Sequence, residues 1–400
     1  MTPMVGRVRA VAVAALMCVA LGVSAPARSD ADVVEAAGRI VVEPGTGAEH
    51  TGAAAARVAA MTLREKAAAV VMGHIPTADA ASVRAYMQST GVGGFILMGA
   101  NIPATEDELR VLTAGMTLDP ALPPLIAVDQ EGGDVSRLSW DAFPSARVLK
   151  DQPADATRDA FAGRAALVQR AGIGVNFGVI ADVTADQSSF IFRRALGTDA
   201  TSGAAHVVAA TDGESGSVLT TLKHFPGHGA APGDSHVGIP ATAMSKDQWA
   251  AADALPFQAG IDAGAELLMY GHLAYTAVDA APASVSAEWH RIAREELGFD
   301  GVAITDDLGM LQASGDPAYT DPVANAVTAL RAGNDMVLAV SFSDAESAPR
   351  IVDGIVSAVE SGALPVERLD DAAGRVVTLR LGLAAEGRGL MPCEECAPVE

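Results

Sequence analysis

The segment KHFPGHGAAPGDSH, Lys223 to His236, holds three histidines, a lysine and an aspartate among glycines and prolines that neither a helix nor a strand would choose. Two chemistries need that combination. His224, His228, Asp234 and His236 could ligate a metal ion. Alternatively, a mobile loop could deliver a proton from its Asp234-Ser235-His236 tip while Lys223 and His224 at its base grip a substrate. Three features count against the metal. The first apolar run offers only His74, where metal-dependent barrel hydrolases usually carry a His-x-His pair. Pro226 and Gly227 forbid the helix that would align His224 with His228. Lys223 would set a cation beside the ion.

These residues need a frame to position them. From residue 55 onward, apolar runs at 67–73, 92–99, 124–129, 174–182, 217–224, 265–272, 301–307 and 334–340 alternate with Ala-rich helical stretches. Eight near-continuous apolar strands read as a parallel sheet covered on its outer face, and eight strands close a barrel. The fold expected is therefore α/β, a (β/α)8 TIM-type barrel forming a single catalytic domain. Thr62 and Glu65 form a capping box for an early helix. The last helix is expected to begin at Pro365, with Leu369, Ala373, Val376, Val377 and Leu379 along one face. On this frame Asp129, Lys223, His224, His272, Asp306 and Asp307 all fall at carboxyl ends of strands, the face on which such barrels carry their active sites.

The whole chain sets outer bounds. Its 400 residues are 50% hydrophobic, enough for a large core, and a net charge of −22 argues against a nucleic acid or an anionic membrane as partner. Residues 1–27 read as a secretory signal: Arg7 and Arg9, an apolar run from Ala10 to Val23, then Ala25 and Ala27 at cleavage spacing. The expected location is secreted or cell-wall associated. Met17 and Ala15 sit where a lipid-anchor signal at Cys18 favours a small residue and a leucine, which argues against an anchor. Residues 28–54 read as a flexible spacer, 55–386 as the barrel domain and 387–400 as a tail, where Cys393 and Cys396 lack the second pair of a structural zinc site.

KHFPGHG, four residues, then DSH resembles the signature of the β-N-acetylhexosaminidase branch of family 3 glycoside hydrolases. The resemblance extends through MTLREKAA, GGFILMGAN, VDQEGG and ITDDLGM to the last helix. It implies that Asp306 is the nucleophile, with Asp307 the better helix cap, and that His236 is the acid/base with Asp234 orienting its ring. It implies substrate contacts from Asp129, Arg137, Arg194, Lys223 and His224, with Arg193 a competitor to Arg194, and neither metal nor organic cofactor. Asp134 stands where relatives often carry arginine, which bears on the outer subsite. His272 is either a site residue or a hydrogen-bonded histidine at the barrel lip. The implied activity is secreted retaining exo-β-N-acetylglucosaminidase action on peptidoglycan fragments or chitooligosaccharides. A phosphorylase or β-glucosidase of the same family, and a non-catalytic wall-glycan-binding protein, are the alternatives.

Overall fold

The computed structural model describes residues 47–388. The segment read as a signal, most of the spacer, and Cys393 and Cys396 lie outside the described residues. Eight parallel strands close a barrel: β1 Val71–Gly73, β2 Gly94–Leu97, β3 Leu125–Val128, β4 Val175–Ile180, β5 Leu219–Phe225, β6 Leu267–Tyr270, β7 Val302–Asp307 and β8 Met336–Leu338. Each strand pairs with its sequence neighbours, and β1 pairs with β8 to shut the ring. Each of the eight expected runs holds one strand, the fifth of which continues one residue past its run to Phe225.

Alternation along the strands builds the core. Leu125 and Ala127, Val175 and Phe177, Leu267 and Met269, Val302 and Ile304, and Met336 and Leu338 pack together as one cluster. Their alternate neighbours, among them Ile126, Val128, Leu268 and Ala303, belong to two other clusters shared with the helices. A strand covered on both faces has few positions open to water, which is why the runs were near-continuously apolar.

Three boundaries differ from expectation. The alanines Ala67–Ala69, read with the first strand, end the helix Leu63–Ala69, whose Thr62–Glu65 capping box is present. Alanine favours the helix that the box starts. Part of the segment read as spacer is also structured: Gly47–Ala60 is helical, with Ala54 and Val58 buried. The last helix runs Val366–Glu386, with Pro365 at its cap rather than in its first turn and Gly387 closing it at φ 68°. Leu369, Ala373, Val376 and Val377 are buried on it, and Leu379 is partly buried.

Candidate active site

β3 ends one residue before Asp129, and the chain then folds into a small hairpin, Gln130–Gly132 paired antiparallel with Val135–Ser136. Gly132 sits at φ 83°, and a Cβ there would lie 2.1 Å from the guanidinium of Arg164, so only glycine fits the turn. Arg164 is buried and ion-paired with Asp141 at 2.7 Å. Asp141 in turn accepts from Gln130 Nε2 at 2.7 Å. The hairpin is thereby pinned, and it carries Glu131 and leads into Arg137.

Asp129, Arg137, Arg194 and Lys223 line one cavity of about 180 Å3 at the carboxyl ends of the strands, together with His224, His236 and Asp306. Asp234 stands behind His236 rather than on the wall. Every residue expected in the site is thus brought to one place. A larger hollow of about 780 Å3 lies at the amino ends of β5, β6 and β7, between the helices Gly47–Ala60 and Val366–Glu386. Its charged groups include Arg375 with Asp371 at 3.6 Å and Arg388 with Glu266 at 3.7 Å.

An ion-pair chain forms one wall of the site cavity. Arg137 reaches Asp129 at 3.2 Å, Lys223 reaches Asp129 at 2.8 Å and Glu131 at 2.9 Å, and Arg194 holds Glu131 with bonds of 2.7 and 2.9 Å. Burial alone would raise the Asp129 carboxyl, but Lys223 and Arg137 outweigh it and hold it at about 2. Glu131 is lowered likewise: burial opposes, while Lys223 and Arg194 prevail. Burial favours a neutral Lys223, yet Asp129 and Glu131 raise it further. The three groups therefore stay ionised. Arg194, not Arg193, faces the cavity; Arg193 pairs with Asp134 on the exposed surface at 2.8 Å.

Asp306 is the penultimate residue of β7, partly open to the cavity, and its Oδ1 accepts from the Asp307 amide at 2.8 Å. Burial pushes its carboxyl up, but His224, His272, the Asp307 amide and Lys223 bring it below its ordinary value. Burial, with Arg194 beside it, drives His224 well below an ordinary histidine. With that ring neutral near pH 7, His272, the Asp307 amide and Lys223 are the other groups that favour an ionised Asp306. Asp307 caps Leu308–Ala313, accepting from Gly309 N at 3.0 Å, and also accepts from the amides of Val340 and Ser341 at 2.9 Å each. His272 is the buried lip histidine: its ring nitrogens meet Ser284 Oγ and the Asp307 carbonyl, both at 2.7 Å.

The loop after β5 carries His236. Asp234 Oδ1 accepts from the His236 amide at 3.0 Å and meets Nδ1 at 2.7 Å, which leaves Nε2 free to exchange a proton. Burial raises Asp234, but these bonds and the charge of His236 together bring it below its ordinary value. His236 is 60% exposed. The metal set considered from the sequence is divided. His224 gives Nδ1 to Asp182 at 2.7 Å, His236 gives Nδ1 to Asp234, and the buried His228 packs edge-on to Phe190 at 4.6 Å. Among the described residues no group of three or more His, Cys, Asp or Glu is arranged to hold a metal ion.

Sequence reasoning missed Glu131, Asp182 and Phe190. Asp182 accepts from the amide of His224 at 3.2 Å and of His228 at 2.6 Å, so it clamps both ends of the turn after β5. It lies at the end of the fourth apolar run, the placement that singled out Asp129 and Asp306. Phe190 touches His228, His236 at 6.3 Å and the Arg194 guanidinium at 5.6 Å.

Residues 62–379 match the Glycosyl hydrolase family 3 N terminal domain. The β-hexosaminidase of Stenotrophomonas maltophilia (strain K279a) is 33% identical over 334 residues, covering 80% of this chain and 95% of that protein. A solved family 3 β-N-acetylglucosaminidase from Paenibacillus sp. str. FPU-7 superposes with a TM-score of 0.75 at 30% identity, over 80% of this chain and 63% of that longer one. The solved structure of LpqI from Mycobacterium tuberculosis gives 0.72 at 30% identity, over 81% and 95%. With a barrel matched over nearly all its length and a polar cavity at the strand ends, the chain belongs to glycosyl hydrolase family 3 and is a glycoside hydrolase whose relatives are β-hexosaminidases.

Proposed function

We propose that the protein is a retaining exo-β-N-acetylglucosaminidase that releases terminal N-acetylglucosamine from peptidoglycan fragments or chitooligosaccharides. The observation that carries this reading is a single cavity, sized for one pyranose ring, onto which both Asp306 and the Asp234-supported His236 open. A pocket for one ring suits removal of a terminal sugar. Arg137, Arg194 and Lys223 are matched by Asp129, Glu131 and Asp306, and the one further carboxylate of the lining, Asp307, is engaged by three backbone amides, so the cavity offers no positive surplus to an anionic glycone. The ion pairs present charge-assisted hydrogen bonds to hydroxyl and amide groups.

In the first step an Asp306 carboxylate oxygen attacks the anomeric carbon while the bond to the leaving oxygen breaks, and that oxygen takes the proton from His236 Nε2. Asp234 holds the ring and stabilises its charge. Water then attacks the same carbon, gives a proton to Nε2 and displaces Asp306, so two inversions retain configuration. The imidazole fills the place a second carboxylate usually holds, and proton transfer of this kind contributes about 10²–10⁴-fold in rate. The N-terminal sequence, with Arg7, Arg9 and the run Ala10 to Val23, supports export as part of this reading.

Asp306→Ala tested on 4-nitrophenyl N-acetyl-β-glucosaminide, with products of the parent analysed by mass spectrometry with and without phosphate, decides the matter. Expected are loss of more than about 10³-fold in kcat and free N-acetylglucosamine in both buffers. Unchanged turnover in the variant overturns the mechanism, a sugar phosphate as product reassigns the acceptor, and an inactive parent favours a glycan-binding role.

A further inference from the structure

Two exposed apolar side chains stand out as chain neighbours of the cavity wall. Among the exposed large hydrophobic residues described, Val237 at 75% and Phe342 at 73% are the most open to solvent. Each directly follows a residue that lines the cavity, His236 in one case and Ser341 in the other. Isolated surface hydrophobics need no explanation, but the two most exposed both adjoining residues of the cavity wall do.

Phe342 carries a second mark. Its φ is 59°, the only positive value at a non-glycine residue among the described residues. A bulky aromatic rarely adopts the left-handed region, and residues that do so gather at ligand-binding sites. The backbone before it is held firmly, because Val340 and Ser341 both donate to the Asp307 carboxylate. Asp307 adjoins Asp306 and is braced by His272. The ring is therefore carried on the same rigid corner as the proposed nucleophile. Ser341 is also shared with a second, smaller cavity of about 70 Å3, whose wall includes Phe342, Gln312 and Arg350. Ser341 thus belongs to the walls of both cavities, with Phe342 next to it in the chain.

We propose that Phe342 is the platform for the sugar ring on the leaving-group side of the cleaved bond. This rests on the hydrolase reading above and names the chemistry of its outer subsite. A β-linked pyranose keeps its hydroxyls near the ring plane and presents C–H groups on its faces, so a flat exposed aromatic covers it and removes apolar area from water on both sides. Two side chains are far too little surface for a stable protein partner, which buries about 800 Å2 on each side. They suit one ring.

Phe342→Asn removes the aromatic while tolerating the left-handed backbone, so the variant keeps its fold, checked by an unchanged Tm. It is compared with the parent on N-acetyl-β-glucosaminyl fluoride, which has no leaving sugar, and on N,N′-diacetylchitobiose, which has one. The expected result is a fall of about tenfold in kcat/KM on the disaccharide, activity on the fluoride within about twofold, and recovery on the disaccharide in Phe342→Trp. Equal losses on both compounds, or an unchanged disaccharide rate, overturn the proposal. A parent that cleaves neither compound overturns the hydrolase reading itself, and this subsite with it.

Discussion

Asp182→Asn replaces one carboxylate oxygen with NH2 and removes a negative charge, which should cripple the site without unfolding it. Asp182 is buried, and its Oδ2 faces both the His224 amide at 3.2 Å and His224 Nδ1 at 2.7 Å. The amide can only donate, so the oxygen accepts and Nδ1 carries the hydrogen. The neutral ring then presents a bare Nε2 lone pair to the cavity and to Arg194 Nη2, 3.4 Å away. An asparagine that keeps its oxygen on the His228 amide, at 2.6 Å in the parent, must turn its NH2 toward His224. The ring flips tautomer, and Nε2–H now opposes the Arg194 N–H. One buried hydrogen bond is lost and a donor confronts a donor, which together cost roughly 2–4 kcal/mol. If that falls on the transition state, kcat/KM drops about 30- to 1000-fold. The measurement is kcat/KM on 4-nitrophenyl N-acetyl-β-glucosaminide, with the His224 tautomer read from 15N chemical shifts and Tm as the control. In a His224→Ala background the same change should cost less than about threefold, because its target is gone. A folded Asp182→Asn protein within threefold of the parent, or an additive double mutant, would falsify this account.

Asp234→Asn takes the carboxylate from the His236 ring; disaccharide cleavage should fall about 10²–10³-fold while the glycosyl fluoride, whose leaving group needs no proton, falls less than about tenfold. Similar losses on both would remove His236 from the role of acid. Glu214 is fully buried beside Asn176, and burial raises its carboxyl to about 8 from 4.5. The folded chain keeps this proton up to about pH 8 while the unfolded chain releases it near 4.5. Stability is therefore withdrawn as pH climbs through that window, by roughly 3–5 kcal/mol in all. Glu214→Gln should flatten that slope, giving a higher Tm than the parent at pH 8 but not at pH 4.5; parallel profiles would refute a protonated Glu214.

The eight strands were legible because β strands covered on both faces leave long apolar runs, and their carboxyl ends pointed to Asp129, Lys223, His224 and Asp306. Boundaries were less legible where residues suit either state. Ala67 to Ala69 read as strand on hydrophobicity alone, yet the helix capped at Thr62 claims them. Gly47 to Ala54 shows no clear period, and a helix forms there with Ala54 and Val58 buried against the rest of the fold. Asp182 escaped notice because a lone carboxylate ending an apolar run carries no chemistry until the turn it clamps is known.

By itself the sequence determined the barrel, the polar rim and the loop that carries His236, because apolar alternation and turn residues act between near neighbours in the chain. Only the tertiary structure decided the partners: which arginine faces the cavity, that Glu131 joins Lys223 to Arg194, and that His272 supports rather than lines the site. Those choices depend on distances such as the 2.8 Å between Lys223 and Asp129, which lie 94 positions apart. No local pattern encodes a contact of that span, since closing the barrel is what brings the two charges out of water and into each other's field.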